Sequence, residues 1–398
     1  MVRSRPLTIA CGLSFCCFFA AYMRMPVVPL LALSLGATTV QVGIINAAFM
    51  VMAALLSIPS GMVSDRLGRR PLLLGGLVVL GGASGLLYLS SGLLQMALLY
   101  LLFGAGLATF SPALMSYVAD VTEPDRLGRA YGRYTLAMYC GMTLGPAAGG
   151  YLAVLAGLRE VLLSAGGLLA LMCVVAFFWL PAPSPQQTRR TPRVISGPAL
   201  WGLLQISPFC GCLIATLGCS MGYGMFVTFM PLYMKSMAMG TAQIGAVFTA
   251  QAFANALSRL PTGRLTDILR CKWLLICGGT ALFALALACL GLARTVPMLL
   301  AVAVLMGGGM GVAFTVICAQ IADLVPPAMR GLAVGCYNTC IYTGMLLSSV
   351  SMGSVIGRFG FGLAFLATAV LVLASALLSC LLCQGGAQPA GRSLRSAA

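Results

Sequence analysis

The sequence predicts an all-α membrane protein of twelve spanning helices, arranged as two similar six-helix bundles. Three observations predict this fold: the composition, the length of the apolar runs and an internal repeat. Of the 398 residues, 60% are hydrophobic and only 8% are charged, whereas a soluble domain has about 25% charged residues. A chain of this composition cannot cover its surface against water, so we expect its solvent to be a lipid bilayer.

Apolar runs long enough to cross a bilayer, about 20 residues each, fill nearly the whole chain. The first run follows a basic N-terminus, as in a secretory signal peptide, but no small-residue cleavage site ends it, so we expect a retained first helix. The predicted helices lie near 7–34, 40–62, 71–90, 92–118, 130–156, 161–181, 202–234, 241–262, 273–293, 296–321, 332–356 and 361–383.

Two segments break this pattern. The stretch 182–200 is rich in Pro, Ser and Arg, which is typical of an irregular linker. The end of the chain, 385–398, is polar and rich in small residues, which predicts a disordered tail. The two bundles are therefore expected at 1–181 and 201–384.

The placement of the positive charges predicts the orientation. With the N-terminus in the cytoplasm, five of the 23 Lys and Arg residues fall outside it, which leaves 18 on the cytoplasmic side; the five are Arg24, Arg159, Lys235, Arg294 and Arg358. Arg259, at the end of the helix near 241–262, is counted among the 18. This asymmetry follows the positive-inside rule and predicts that both termini are cytoplasmic. The net charge of +16 is thus explained by topology and does not indicate a nucleic-acid partner.

The two halves repeat one another in the same orientation. The matched positions, at offsets of 202 and then 203, are Pro29/Pro231, Gln41/Gln243, Gly43/Gly245, Gly61/Gly263, Asp65/Asp267, Gly106/Gly309, Asp120/Asp323, Pro124/Pro327 and Gly128/Gly331. Parallel six-helix repeats of this kind form the body of transporters whose substrate site lies between the repeats, near the middle of the membrane.

The matched residues carry a resemblance to the major facilitator superfamily. "GMVSDRLGRRPLL", from Gly61, resembles the loop between the second and third helices of that family. The copy in the second half, "GRLTDILRCKWLL", keeps Gly263, Asp267 and Arg270 but loses the second glycine. "ADVTEPDRLGRAYG" and "ADLVPPAMRGLAVG" resemble the loops after the fourth and tenth helices, so the resemblance covers nearly the whole chain.

The resemblance implies a latch that joins the halves on the cytoplasmic side when the transporter faces outward. Asp65 would face the positive N-terminus of the eleventh helix near Gly331, and Arg69 would pair with Asp120. The residues assigned to the latch are Gly61, Asp65, Arg66, Gly68, Arg69, Asp120, Gly263, Asp267 and Arg270. The alternative, left open, is that these residues only set topology and loop structure.

The segment "GMTLGPAAGG", 141–150, lies within the fifth predicted helix although glycine and proline both disfavour helices. Gly141, Gly145 and Gly149 recur every four residues and so share one face, which allows two helix backbones to approach closely. Pro146 removes a backbone hydrogen bond and kinks the helix. With Gly150, these residues resemble the antiporter motif of the family's drug–proton exporters, and "MPVVPLL" at 25–31 resembles their first helix. A packing face without any role in transport direction is the other interpretation.

Proton coupling has no expected chemical group in this chain. Histidine is absent, and all seven acidic residues fall at predicted helix ends or in loops: Asp65, Asp120, Glu123, Asp125, Glu160, Asp267 and Asp323. An arginine usual in the family's fourth helix is also missing. Antiport is therefore implied by the resemblance alone, Asp120 is the best candidate for a proton site, and uniport or exchange stays open.

Arg24 is the one charge that clearly falls within a predicted helix, beyond the middle of the first span, where a cation is costly unless it faces a partner or water. It either lines a cavity and orients an anionic or electron-rich substrate, or extends to the outer headgroups. Further polar candidates for the cavity are Tyr22, Asn46, Gln251, Asn255, Gln320, Tyr337, Asn338 and Tyr342. Because the core lacks acids, we expect neutral, amphipathic or anionic small molecules rather than permanent cations.

The sequence excludes several other classes. The 16 cysteines are scattered, and neither "CLLC" at 380–383 nor "CGC" at 210–212 has the partners of a metal or redox site. No phosphate-binding Gly-Lys-Ser/Thr loop is present, and without histidine no Ser-His or Cys-His catalytic pair exists. We expect no enzyme activity, cofactor or metal.

Two functional classes remain open. The favoured one is a secondary transporter, an exporter that works by rocking of two halves, monomeric, in a bacterial inner membrane, with a small-molecule substrate and protons as possible coupling ions. The other is a transport-inactive relative that acts as a sensor or assembly partner, which the missing membrane carboxylate favours and the intact glycine motifs disfavour.

Overall fold

The computed structural model describes residues 5–123, 126–181, 197–268, 272–326 and 329–385, which form α-helices and no strand. The predicted linker and tail lie largely outside these residues. The helices are α1 (Arg5–Met23), α2 (Val27–Ser34), α3 (Thr39–Leu67), α4 (Arg69–Tyr88), α5 (Leu93–Asp120), α6 (Leu127–Leu155), α7 (Leu158–Trp179), α8 (Gly197–Leu204), α9 (Ser207–Ser236), α10 (Thr241–Ile268), α11 (Lys272–Leu290), α12 (Val296–Leu324) and α13 (Arg330–Gly385).

Within the described residues, nine segments are long and apolar enough to cross a membrane by length and composition. One of them, within α13, is two helices, because Gly360 at φ 81° breaks it. The helices α6 and α10 have 29 and 28 residues but are less apolar, since each packs on the other half of the protein as well as on lipid. The second helix within α13, α6 and α10 add three spans to the nine segments. The fold thus has the twelve spans that the sequence predicts, and the predicted fold class is confirmed.

Two predicted helices are interrupted. The predicted helix near 7–34 is divided into α1 and α2 by a turn at 24–26, where Pro26 lacks the N–H that would continue the helix. The predicted start of the seventh span, near 202, lies inside the short α8, and α9 begins only at Ser207 next to Pro208. Predicting one continuous helix across each of these segments is therefore wrong.

The repeat is visible in the helix packing. A Cβ added at Gly141 on α6 would meet the carbonyl oxygen of Phe15 on α1, and one at Gly344 on α13 would meet that of Leu217 on α9. Gly344 is 203 residues after Gly141, and Leu217 is 202 after Phe15. The same close backbone contacts thus recur in both halves, which is what a pseudo-twofold relation requires.

The halves meet along two seams, α3 against α13 and α6 against α10. The backbones touch at matched glycines: Gly43 faces the carbonyl oxygen of Ser349, and Gly245 faces that of Pro146. Thr39 Oγ1 also donates a hydrogen bond to the Gly353 carbonyl, 2.9 Å. A side chain at either glycine would collide with the facing carbonyl oxygen and force that seam apart.

These contacts lie toward one face of the molecule. We call the face where α1 begins and α13 ends the terminal face, and the other the hairpin face. Thr39, Gly43 and Gly245 lie in the first turns of their helices, at the hairpin face. Toward the terminal face, Gly132 on α6 and Gly263 on α10 have no atom within 4 Å of an added Cβ. The close backbone contacts between the halves that the described residues make are therefore concentrated toward the hairpin face.

Candidate functional site

An ion pair joins α4 to α5 at the terminal face. Arg69 Nε lies 3.1 Å from Asp120 Oδ2, and both side chains are buried. These are the two residues that the resemblance pairs. A second pair that the sequence analysis missed, Lys272 with Asp323, joins α11 to α12. It is the exact repeat of the first at the offset of 203, so the alignment of the halves contained the signal for it.

The other assigned latch residues are described less fully. The side chains of Gly61, Asp65, Arg66 and Asp267, and the whole of Arg270, lie outside what the structure describes. Gly68 separates α3 from α4 at φ 91°, a backbone conformation that favours glycine. This explains the second glycine of the motif as a turn residue.

The glycine motif of α6 serves two contacts. Gly141, Gly145 and Gly149 face the backbone of α1, with Gly149 against the carbonyl oxygen of Met23. Gly150 and Pro146 lie on the adjoining face and touch α10 of the other half. The motif thus places α6 against its own bundle and across the seam at once.

Arg24 is enclosed in the first half. It lies at the turn between α1 and α2, is 3% exposed, and its guanidinium lies over the ring of Phe103 and 5.1 Å from the ring centre of Tyr100, both on α5. Its Nε and Nη1 have no hydrogen-bond partner among the described residues. Arg24 therefore neither extends to the headgroups nor lines an open cavity in this state.

Aromatic and polar side chains lie where the two halves face each other, around the predicted central space. Tyr22 on α1 lies beside Tyr223 on α9, and the rings of Phe49 and Tyr342 meet edge to face at 6.4 Å. Tyr223 and Phe49 were not among the residues predicted from the sequence. Both sit in otherwise apolar helices, where only the fold distinguishes a cavity position from a packing one.

The remaining candidates occupy different depths. Asn46 and Gln251 are buried, and Gln251 Nε2 lies 3.5 Å from the sulfur of Met310. Tyr337 packs edge to face on Phe314 at 6.1 Å. Asn338 is half-buried on the same helix as Tyr337. The structure therefore places Tyr22, Tyr337 and Tyr342 at the contact between halves and encloses Asn46 and Gln251 within the helix packing.

Arg259 is the main residue that the sequence analysis misplaced. Because α10 continues to Ile268, Arg259 lies more than two turns inside the helix rather than at its cytoplasmic end. Its Nε donates to Asn255 Oδ1, 3.0 Å, and its guanidinium lies 4.7 Å from the ring centre of Tyr139 on α6, in the opposite half. Tyr139 and Tyr342 occupy equivalent positions in the two halves, 203 residues apart. This match could have identified Tyr139 from the sequence.

Acidic side chains stand apart from this space wherever they are described. Asp120 ends α5, Glu123 follows it, Glu160 lies in the first turn of α7, and Asp323 lies in the last turn of α12. Among the described residues, no group of three His, Cys, Asp or Glu is placed to hold a metal ion. The chemistry available between the halves is thus hydrogen bonding, aromatic stacking and one positive charge.

The sequence profile of the Major Facilitator Superfamily matches residues 10–242 and 212–393. The chain belongs to this superfamily of membrane transporters, which confirms the resemblance seen in the sequence.

Relatives and solved structures agree with this assignment. An uncharacterised MFS-type transporter of Methanocaldococcus jannaschii is 23% identical over 89% of this chain and 92% of its own length. The multidrug resistance efflux pump PmrA of Streptococcus pneumoniae is 22% identical over 89% and 90%. A bacterial homologue of the human lysosomal transporter Spinster, solved inward-facing and unoccupied, superposes with a TM-score of 0.80 at 15% identity over 96% and 97% of the two chains.

Proposed function

We propose that this protein is a secondary active transporter that exports a small neutral, amphipathic or anionic molecule by alternating access. The observation that carries the proposal is the concentration of close backbone contacts between the halves toward the hairpin face, while Gly132 and Gly263, toward the terminal face, have no close neighbour. A central space that opens to one side only is the arrangement that alternating access requires.

The distribution of positive charge indicates which side of the membrane the terminal face occupies. With the positive-inside distribution of Lys and Arg, the terminal face is cytoplasmic, so the described state is open to the cytoplasm and closed to the outside. This is the state in which an exporter receives its substrate. The efflux function of the relative PmrA and the glycine motif of α6 support export over uptake. We place the protein, as a monomer, in a bacterial inner membrane with both termini cytoplasmic.

The residue roles follow from this scheme. Arg69 with Asp120 braces the first half at the cytoplasmic end, and Lys272 with Asp323 braces the second. Asp65 and its neighbours would latch the halves together when the cytoplasmic side closes, as the resemblance implies. Proton antiport rests on that resemblance too, because every described carboxylate lies outside the central space. This last observation favours an uncoupled exchanger or uniporter as the second candidate function.

Transport in proteoliposomes tests these proposals. Purified protein is reconstituted, loaded with a panel of labelled small molecules and assayed with and without an imposed pH gradient. Proton coupling predicts that the gradient drives accumulation against a concentration difference and that Asp120→Asn abolishes this while leaving downhill exchange. Downhill movement or exchange that ignores the pH gradient would establish the uncoupled alternative, and no movement of any compound would favour a transport-inactive sensor.

A further inference from the structure

We propose that Arg259 selects the substrate, and that the substrate is a small aromatic carboxylate bound by the terminal nitrogens of its guanidinium. This inference rests on the transport function proposed above, since it names the substrate class of the same central space. It assigns the specificity to the second half, on α10.

The guanidinium of Arg259 is held in place with its outer edge available. Its Nε is engaged by Asn255 Oδ1 at 3.0 Å, and Asn255 is itself 7% exposed. One face lies 4.7 Å from the ring centre of Tyr139. The two terminal nitrogens present the planar pair of donors that matches the two oxygens of a carboxylate.

Charge points to an anionic ligand. Among the described residues, no carboxylate lies within ion-pair distance of Arg259. A cation inside a membrane helix normally pairs with another group or faces a water-filled cavity, and it marks a substrate or ion pathway. Arg259 is half-buried, so it stays within reach of a ligand that enters from the terminal face. An anion would supply the counter-charge that the described residues do not.

The surrounding side chains favour an aromatic body. Tyr337 lies near Arg259 and Cys318, an exposed residue of α12. Phe314 packs on Tyr337 at 6.1 Å, and Tyr139 faces them from the other half. A substrate ring can pack against these aromatic side chains while its carboxylate meets the guanidinium.

The internal repeat distinguishes Arg259 and Asn255 from the residues that build both halves. The ion pairs, the seam glycines and Tyr139 with Tyr342 recur in both halves. Arg259 and Asn255 do not, because the positions 202 residues earlier are Ser57 and Ala53. Ser57 donates to the carbonyl of Ala53 within its own helix. A residue that builds the shared framework is expected twice, whereas a residue that recognises an asymmetric ligand is expected once.

Arg24 does not compete for this role in the described state. It is enclosed against α5 at 3% exposure, so a ligand from the terminal face does not reach it. Of these two arginines within the helix bundle, the one that such a ligand can reach is Arg259.

Binding of benzoate and benzamide to the purified full-length protein tests the proposal, because the two probes differ in charge and share size and ring. We expect the wild type to bind benzoate at least about tenfold more tightly than benzamide. Arg259→Gln should lose about 10- to 100-fold in benzoate affinity and leave benzamide unchanged. Arg264→Gln, an exposed arginine on the same helix, is the matched control and should bind like the wild type. Arg259→Lys, which keeps the charge but not the planar fork, should be intermediate.

Equal affinity for both probes, or an Arg259→Gln variant that keeps the benzoate preference, would overturn the proposal. If that variant does not fold, the wild type alone tests the proposal by chemical modification. Benzoate should slow the modification of Arg259 by phenylglyoxal, measured by peptide mass spectrometry, and leave that of Arg264 unchanged. Modification of Arg259 at an unchanged rate would count against the proposal. Benzoate binding that depends on Arg259 without transport in proteoliposomes would refute the transport function and leave this site standing.

Discussion

At the residue scale, the two repeated ion pairs differ in burial, and this difference sets their energetic weight. The side chains of Arg69 and Asp120 are 9% and 6% exposed, whereas those of Lys272 and Asp323 are 25% and 61% exposed. Breaking a buried pair leaves a charge without its partner and costs about 3–5 kcal/mol. An exposed pair contributes about 0–1 kcal/mol.

We therefore predict that Arg69→Ala lowers the thermal unfolding temperature in detergent much more than Lys272→Ala does, because it strands the buried carboxylate of Asp120. The double variant Arg69→Ala with Asp120→Ala should recover part of the loss, since no buried charge is left alone. Equal effects of the two single variants would show that burial does not govern these pairs.

Sequence reasoning at this scale succeeded where a residue has a partner in a motif or in the repeat, as with Arg69, Asp120 and Gly68. It failed for Arg259 and Tyr139, since their importance depends on how far α10 extends and on which face of α6 meets the other half. Arg24 was predicted as a charge within a helix but lies in the turn between α1 and α2, and its enclosure against Phe103 depends on packing that a single sequence does not encode.

At the element scale, glycine decides how closely α6 approaches α1. A Cβ at Gly149 would meet the carbonyl oxygen and side chain of Met23, whereas one at Gly132, on the same helix, would meet nothing within 4 Å. We predict that Gly149→Ala costs about 1–3 kcal/mol through overpacking, seen as a lower unfolding temperature. Gly132→Ala is the matched control and should be neutral or gain up to about 1 kcal/mol from helix propensity; a loss as large as that of Gly149→Ala would contradict the packing argument.

Element existence and number followed from the sequence because bilayer thickness imposes the length of each apolar run. The interruptions did not, although prolines mark both: Pro26 at the turn before α2 and Pro208 at the start of α9. Pro59, Pro112, Pro146 and Pro231 lie inside continuous helices. Whether a proline breaks or only bends a membrane helix depends on which neighbours satisfy the freed carbonyl groups.

At the scale of the whole molecule, closure of the hairpin face is the property that a covalent link can test. An added Cβ at Gly357 lies 3.7 Å from Thr39 Oγ1 across the seam between α3 and α13, a distance suited to a disulfide. We predict that oxidised Thr39→Cys with Gly357→Cys forms this bond and stops transport in proteoliposomes, with recovery on reduction. Thr39→Cys alone, treated identically, should stay active, and full activity of the cross-linked form would refute alternating access through this face.

The two seams also constrain how that face can open. Each half is braced by its own glycine contacts and ion pair, so it moves as one body, and both seams join the same two bodies. In the proposed alternating-access cycle, separating α3 from α13 while α6 stays on α10 would tilt one half sideways and strain the contacts that remain. Swinging both seams apart together about an axis between them avoids this strain, so we expect opening to be a single cooperative event.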